Sequence, residues 1–218
     1  MVSAVFFDFD GTLADTAPDL GHALNRQRIT RNLDPLSIDT IRTQASAGAR
    51  GLLKLGFNIG PEDQDYMTMR DEFLEFYAQR LCHDTQLFPG ITELLDQLGI
   101  LNIPWGIVTN KPARFTHPLI AQLGLQKHAA SVVCGDETTR TKPHPEPLLT
   151  ACKKINVSPV DCLYLGDDQR DVKASLAAGM EPCIALYGYL GNDQPPETWG
   201  ARYMINHPQD LLAYLSIK

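Results

Sequence analysis

The chain has 218 residues, enough for one large domain or for one core with an inserted segment. Its formal net charge is −7 and it contains no run of basic residues, which argues against nucleic-acid binding. No apolar run approaches the length that crosses a bilayer, and an apolar strand begins after four residues, so we expect a cytoplasmic protein without a membrane partner.

The cysteines indicate a reduced protein. There are five, an odd number, and no two of them form a C-x-x-C pair. Three lie in apolar, strand-like segments, so we expect reduced side chains that fill the core. These three are Cys134, Cys162 and Cys183.

The first strand, 5–7, is apolar and ends in the sequence Asp-Phe-Asp-Gly-Thr. Residues i and i+2 of an extended chain point to the same side, so the Asp8 and Asp10 carboxylates share one small volume. They repel each other unless a divalent cation lies between them or one keeps its proton. Mg²⁺ could thus screen Asp8, as a nucleophile, from the charge of a phosphate dianion, and a protonated Asp10 could serve as general acid. Gly11 permits a turn whose backbone N–H groups face a phosphate, and Thr12 adds a hydroxyl donor.

Two other interpretations of this segment are a simple acidic turn and a calcium loop. An EF-hand loop needs glycine at its sixth position and an acid at its twelfth. Here the glycine is fourth and directly follows an apolar strand, which disfavours calcium.

The next region, residues 16–83, is helical in pattern, with apolar residues three and four positions apart. An insertion of this length is too long for a loop inside a compact domain. We therefore expect residues 16–83 to form a helical cap over the active site. Residues 1–15 and 84–218 would form the α/β core.

After residue 88 short apolar strands alternate with helices, which predicts a Rossmann-like parallel sheet covered by helices on both faces. The predicted strands are 105–108, 131–134, 162–165, 182–186 and 203–205. The predicted helices are 91–98, 118–123, 147–155, 171–178 and one that starts at 208.

Polar residues follow several of these strands. Thr109 and Asn110 end the second strand and are suitable neutral donors to a phosphate, although a turn or helix cap is an equal alternative. Lys142 lies among three prolines. A lone lysine is usually a solvated surface group, but a site with carboxylates and a phosphate needs such a cation.

A later strand ends in three acids, Asp167, Asp168 and Asp171. At the end of one strand they would repel each other strongly without a cation. The alternative is a solvated loop in which Asp171 caps the next helix, and the two roles are compatible.

These four segments, in this order, resemble the motifs of the haloacid dehalogenase-like phosphatase superfamily. The matching residues are Asp8-x-Asp10-Gly11-Thr12, Thr109-Asn110, Lys142, and Gly166-Asp167-Asp168 with Asp171. The resemblance covers the whole chain and implies that Asp8 is nucleophile and Mg²⁺ ligand. It also implies Asp10 as general acid/base and metal ligand through its carbonyl, Asp167 as the remaining ligand, and Thr109 and Lys142 as phosphate-binding groups. Dehalogenases of the superfamily lack the second acid, so Asp10 argues against carbon–halogen cleavage.

Further segments resemble the phosphoglycolate phosphatase branch, and more closely the bacterial N-acetylmuramic acid 6-phosphate phosphatases. They are Thr109-Asn110-Lys111-Pro112-x-Arg114-Phe115, Lys142-Pro143-x-Pro145-Glu146-Pro147-Leu148, Tyr187-Gly188-Tyr189, Trp199-Gly200-Ala201 and Gly48-Ala49-Arg50. The resemblance implies a small-molecule phosphomonoester as substrate, with N-acetylmuramic acid 6-phosphate first and phosphoglycolate as the alternative. We expect Arg50, in a cap loop, to bind the carboxylate of the substrate, and Arg114 is another candidate for that contact.

Two more distant alternatives remain at this point. One is a phosphomutase of the same fold, and the other is a receiver-like binding module that is phosphorylated without turnover. A receiver keeps its acceptor on an internal strand and needs no insertion, which disfavours the module. We expect a monomer or a weak homodimer.

Overall fold

The computed structural model describes residues 2–191 and 194–215. The strands, in chain order, are β1 Ala4–Phe7, β2 Ala14–Asp15, β3 Gln86–Leu87, β4 Trp105–Val108, β5 Ser131–Val133, β6 Cys162–Gly166, β7 Glu181–Ala185 and β8 Tyr203–Ile205. The α-helices are α1 Ala17–Ile29, α2 Ile38–Ala45, α3 Gly48–Phe57, α4 Tyr66–Ala78, α5 Ile91–Ile100, α6 Ala113–Gln122, α7 Glu146–Ile155 and α8 Gln169–Ala178. Short 3₁₀ helices cover Pro159–Asp161, Pro196–Thr198 and Pro208–Tyr214.

Six parallel strands form the main sheet in the order β5-β4-β1-β6-β7-β8. Alternate residues of β1 enter different hydrophobic clusters: Val5 and Phe7 pack into one, Ala4 and Phe6 into the other. This alternation follows from the period of two in a strand, and it requires apolar layers on both faces. Helices α5 and α6 supply the first layer, and α7 and α8 supply the second. The predicted α/β fold class is confirmed.

The helices α1–α4 lie between β2 and β3 and share a hydrophobic cluster that includes Leu24, Leu52 and Phe73. Strands β2 and β3 pair antiparallel, so the chain leaves for these helices and returns at one place. We refer to α1–α4 as the inserted helices and to the β2–β3 pair as the stem. That residues 16–83 form a separate cap domain stays a prediction.

A buried carboxylate ties the two ends of the inserted segment together. Asp19, in α1, accepts hydrogen bonds from the backbone N–H groups of Asp84, at 3.1 Å, and Thr85, at 2.9 Å. It also accepts one from the Thr85 hydroxyl at 2.8 Å. These bonds join the first turn of α1 to the segment that leads into β3.

Two predicted helices differ from the structure. Helix α6 begins five residues earlier than the predicted 118–123 and continues through Pro118, where proline costs one backbone hydrogen bond without ending the helix. The helix predicted to start at 208 is a 3₁₀ helix. None of the five cysteines, all of which lie in the described ranges, forms a disulfide, and Cys134, Cys162 and Cys183 are buried as predicted. No helix within the described ranges is long and apolar enough to span a bilayer.

Candidate active site

A cavity of about 290 Å³ lies between the carboxyl ends of the central strands and the inserted helices. Asp8 and Asp10, which follow β1, both line it, as their spacing predicts. Asp8 Oδ1 accepts the backbone N–H of Phe9 at 2.7 Å and lies 2.9 Å from Lys142 Nζ. Asp8 Oδ2 has no hydrogen bond within the part of the chain that the structure describes.

Lys142 is buried at the centre of the site and is not a solvated surface group. Besides Asp8, its ammonium contacts Asp171 Oδ1 at 2.7 Å, the Val108 carbonyl at 3.0 Å and the Tyr164 hydroxyl at 2.8 Å. Burial by itself lowers the pKa of Lys142, but the charges of Asp171 and Asp8 outweigh it and raise that pKa above its usual value. Lys142 is therefore a fixed cation beside Asp8.

Asp167 and Asp171 complete a cluster of buried acids. One carboxylate oxygen each from Asp8, Asp167 and Asp171 lies within 4.8 Å of the others. Burial first, and then the charges of Asp8 and Asp171, raise the pKa of Asp167 well above its usual value. Burial also raises the pKa of Asp171, to about 7, against the opposing charge of Lys142. Three buried carboxylates this close together favour the binding of a cation, which would offset their mutual repulsion.

The remaining acid of this segment has a different partner. Asp168 forms a two-pronged ion pair with Arg170, whose Nε and Nη2 lie 2.8 and 2.7 Å from its oxygens. Asp171 Oδ2 accepts the backbone N–H of Asp168 at 3.1 Å and so caps α8. Asp171 thus has both predicted roles, as helix cap and as member of the acidic cluster.

Asp10 is held by two residues to which the sequence analysis assigned no role. Lys111 Nζ and the Thr16 hydroxyl lie 2.8 and 2.5 Å from the same oxygen, Oδ1. The side chain of Lys111 is 7% exposed, and its Nζ lies 4.8 Å from the ring centroid of Tyr77, which belongs to α4. One signal for Lys111 was available, because it stands two residues after Thr109 and so points to the same side of an extended chain.

Gly11 and Thr12 lie against Asp167. Gly11 has a φ of +84°, and a Cβ there would lie 2.2 Å from Asp167 Oδ2, so the site requires glycine at this position. Its N–H bonds to the Ala14 carbonyl at 3.0 Å, a partner within the turn. The Thr12 hydroxyl donates to Asp167 Oδ1 at 3.0 Å, and the Ser46 hydroxyl donates to Oδ2 at 2.7 Å.

Thr109 and Asn110 both line the cavity, but their polar groups differ in availability. The Thr109 hydroxyl oxygen accepts the Lys111 N–H at 3.1 Å, which leaves its O–H available as a donor. The Asn110 amide instead binds the backbone of Lys142 twice, accepting its N–H at 3.0 Å and donating to its carbonyl at 2.9 Å. Asn110 therefore holds the lysine-bearing loop in place.

We expect Asn110→Ala to lower the free energy of unfolding by about 1–3 kcal/mol, because two backbone groups of Lys142 lose their partner. Activity should fall about tenfold or more, since the Lys142 ammonium would no longer be held beside Asp8. Chemical denaturation and phosphate release measure the two effects. Asn206→Ala, at an exposed asparagine, is the control, and equal effects of both variants would contradict this role.

Arg50 lies elsewhere. The segment that contains it was expected to be a loop, but it forms the first turn of α3, which begins at Gly48. Gly48 and Ala49 line the cavity that contains Asp8. The exposed Arg50 lines a neighbouring cavity, beside Arg170. The structure therefore brings together the other predicted site residues and leaves Arg50 outside their cavity.

A family comparison agrees with this arrangement. The profile of a family described as haloacid dehalogenase-like hydrolase matches residues 5–185, which contain every residue of the site described above. The chain belongs to the haloacid dehalogenase-like hydrolases. Membership of a hydrolase family decides against the receiver-like binding module.

Two curated relatives and one solved structure that are similar to this chain are named as phosphatases. This haloacid dehalogenase-like hydrolase is 40% identical over 208 residues to the N-acetylmuramic acid 6-phosphate phosphatase of Pseudomonas putida, covering 95% of this chain and 93% of the relative. It is 38% identical over 209 residues to the phosphoglycolate phosphatase of Xanthomonas campestris, covering 95% and 94%. The crystal structure of a predicted phosphoglycolate phosphatase from Haemophilus somnus matches with a TM-score of 0.86 at 25% identity, covering 98% and 97%. The chain is therefore a phosphatase.

Proposed function

We propose that this hydrolase removes phosphate from a small, carboxylate-bearing sugar phosphate, with N-acetylmuramic acid 6-phosphate as its principal substrate. The observation that carries the proposal is Asp8, held by Lys142 in a cavity whose opposite wall is helical and largely apolar. The 40% identical phosphatase of Pseudomonas putida supports the choice of sugar. The 38% identical relative from Xanthomonas campestris keeps phosphoglycolate as the second candidate.

Asp8 would be the nucleophile. Its Oδ1 is fixed by the Phe9 N–H and by Lys142, so Oδ2 is left to form the bond to phosphorus. As that bond forms, the bond from phosphorus to the oxygen of the sugar breaks. The Lys142 ammonium offsets the charge of the phosphate, and the Thr109 hydroxyl donates to one of its oxygens.

Asp10 would act as general acid in the first step and as general base in the second. Lys111 and Thr16 both hold Oδ1, so Oδ2 is left to give a proton to the departing oxygen of the sugar. In the second step Asp10 takes a proton from water as that water attacks the aspartyl-phosphate. This step releases inorganic phosphate and restores Asp8. A phosphomutase would instead return the phosphate to a sugar, so measured phosphate release separates the two activities.

The donor set fits Mg²⁺. The ligands would be the Asp8 and Asp167 carboxylates and the Asp10 carbonyl, all oxygen donors of the kind this cation prefers. Asp171 Oδ1 lies 2.7 Å from the Lys142 ammonium and Oδ2 caps α8, so the role of this residue would be to hold Lys142 next to the metal ligands. When bound, Mg²⁺ would supply positive charge that lets the phosphate dianion approach Asp8. The inserted helices would act as a cap that encloses the leaving group.

We expect kcat/KM on N-acetylmuramic acid 6-phosphate to exceed that on phosphoglycolate by at least about a hundredfold, or ~2.7 kcal/mol. The sugar can bury apolar surface against Leu20, Phe73 and Leu74, whereas the two-carbon acid leaves most of the cavity filled by water. Phosphate release from both esters at equal Mg²⁺ measures the ratio. A reversed preference would select phosphoglycolate and leave the phosphatase activity standing.

A further inference from the structure

Most cationic side chains that line the active-site cavity already have a carboxylate partner. Five lysines and arginines line it: Arg70, Lys111, Arg114, Lys142 and Arg170. Ion pairs of 2.9 Å or less hold Lys111, Lys142 and Arg170. Their charge is offset before any substrate enters. Arg70 and Arg114 are the exceptions.

Arg114 has no ion pair and no hydrogen bond to any side chain that the structure describes. It lies in the first turn of α6, two residues after Pro112, with its guanidinium stacked 4.6 Å from the ring centroid of Phe115. Stacking on an aromatic ring fixes the plane of a guanidinium while leaving its N–H groups at the edge free to donate. Arg114 therefore presents donors of fixed orientation and an unpaired charge.

Arg70 lies opposite, in α4 of the inserted helices, and is only weakly engaged. Its nearest carboxylate oxygen, from the exposed Asp71, is 3.7 Å away, too far for a good hydrogen bond. Its other polar contact is with the Met67 sulfur at 3.6 Å. A second cavity, which opens beside the first, is lined by Arg70 and Arg114 together with Leu74 and Phe115. The two arginines thus stand at the boundary between the active-site cavity and the outer one.

We propose that Arg70 and Arg114 form a two-sided clamp for the carboxylate of the substrate. The sequence suggested Arg50 for this contact, with Arg114 as another candidate, and did not suggest Arg70. This inference rests on the proposed function and specifies how that site selects its substrate. The phosphate lies against Asp8, the sugar crosses the apolar part of the cavity, and the carboxylate reaches the two guanidinium groups. Because Arg114 belongs to the core and Arg70 to the inserted helices, a bound carboxylate joins the two.

A pair of sugar phosphates that differ only in the lactyl group, which carries the carboxylate, tests the clamp. N-acetylmuramic acid 6-phosphate and N-acetylglucosamine 6-phosphate differ by one lactyl ether, so the ratio of their kcat/KM values reports recognition of that group. We expect a ratio above about ten for the wild type. Arg114→Gln should lower the ratio about tenfold, Arg70→Gln should also lower it, and the double variant should bring it close to one. All variants should hydrolyse the glucosamine ester within about threefold of the wild type.

The control is Arg202→Gln, because Arg202 is also exposed and stacked on the next residue, 5.2 Å from the ring centroid of Tyr203. It lines none of the cavities described above and should leave the ratio unchanged. Arg50→Gln tests the rival position. A loss of discrimination in Arg50→Gln, with none in Arg114→Gln or Arg70→Gln, would overturn the clamp and leave the phosphatase standing. A wild-type ratio near one would overturn the clamp, and a wild type that hydrolyses neither ester would overturn the proposed function with it.

Discussion

Asp8→Asn is expected to abolish phosphate release, with a loss of at least about a thousandfold, or ~4 kcal/mol of transition-state stabilisation. The amide keeps the shape of the side chain and can still accept the Phe9 N–H and the Lys142 ammonium through its oxygen. Its nitrogen cannot attack phosphorus as a carboxylate does. The substitution also removes one negative charge from beside Asp167, so the fold should be retained.

Steady-state phosphate release and thermal unfolding of the same preparations separate chemistry from folding. Asp65→Asn provides the control, because this exposed aspartate precedes α4 without a capping hydrogen bond from its side chain. The variant at Asp65 should keep full activity. Activity of Asp8→Asn within about tenfold of the wild type would contradict the assignment of Asp8 as the nucleophile.

Removal of divalent cations is expected to stop the reaction almost completely, and added Mg²⁺ should restore it. The physical reason is the cluster of buried acids. Without a cation these acids repel one another and would also repel a phosphate dianion. Asp167→Asn should raise the Mg²⁺ concentration needed for half-maximal rate or eliminate activity, since the amide is a weaker ligand. Titration of EDTA-treated enzyme with Mg²⁺ measures both effects.

A readout without turnover comes from thermal unfolding. Mg²⁺ at a hundred times its dissociation constant stabilises the folded protein by about 2.7 kcal/mol, or roughly 5 °C or more for a chain of this size. The shift should be present in the wild type and much smaller in Asp167→Asn. Full activity after EDTA, with no metal detected in the protein, would contradict the metal site. The charge of the phosphate would then have to be offset by lysine alone.

Most of the predicted site residues that the structure brings together share one property: they directly follow a strand. Asp8, Thr109 and Asp167 directly follow β1, β4 and β6, and parallel strands bring their carboxyl ends to one edge of the sheet. Periodicity identifies such strands, so it also identifies this edge. Lys142 was found differently, from the need of an acidic site for a cation.

The contacts that sequence did not reveal depend on paths of loops and on packing between distant helices. The sequence pattern predicted that the Asn110 amide donates to a phosphate. In the structure this amide instead holds the loop that carries Lys142, a residue 32 positions away. The Ser46 hydroxyl reaches Asp167 across 121 positions. Arg50 looked like a loop residue because its two small neighbours resemble a turn, yet they begin a helix. Local sequence patterns do not predict contacts between residues that are so far apart in the chain.

The stem also affects the entropy of folding. β1 and β4 are neighbours in the sheet although the whole inserted segment lies between them in the chain. Once β2 pairs with β3, and Asp19 binds the segment that precedes β3, the loop that must close to join β1 and β4 no longer includes the inserted helices. Even without the stem, each doubling of a flexible loop costs only about 0.6 kcal/mol. The inserted segment can therefore change in length at little cost to the sheet that holds Asp8.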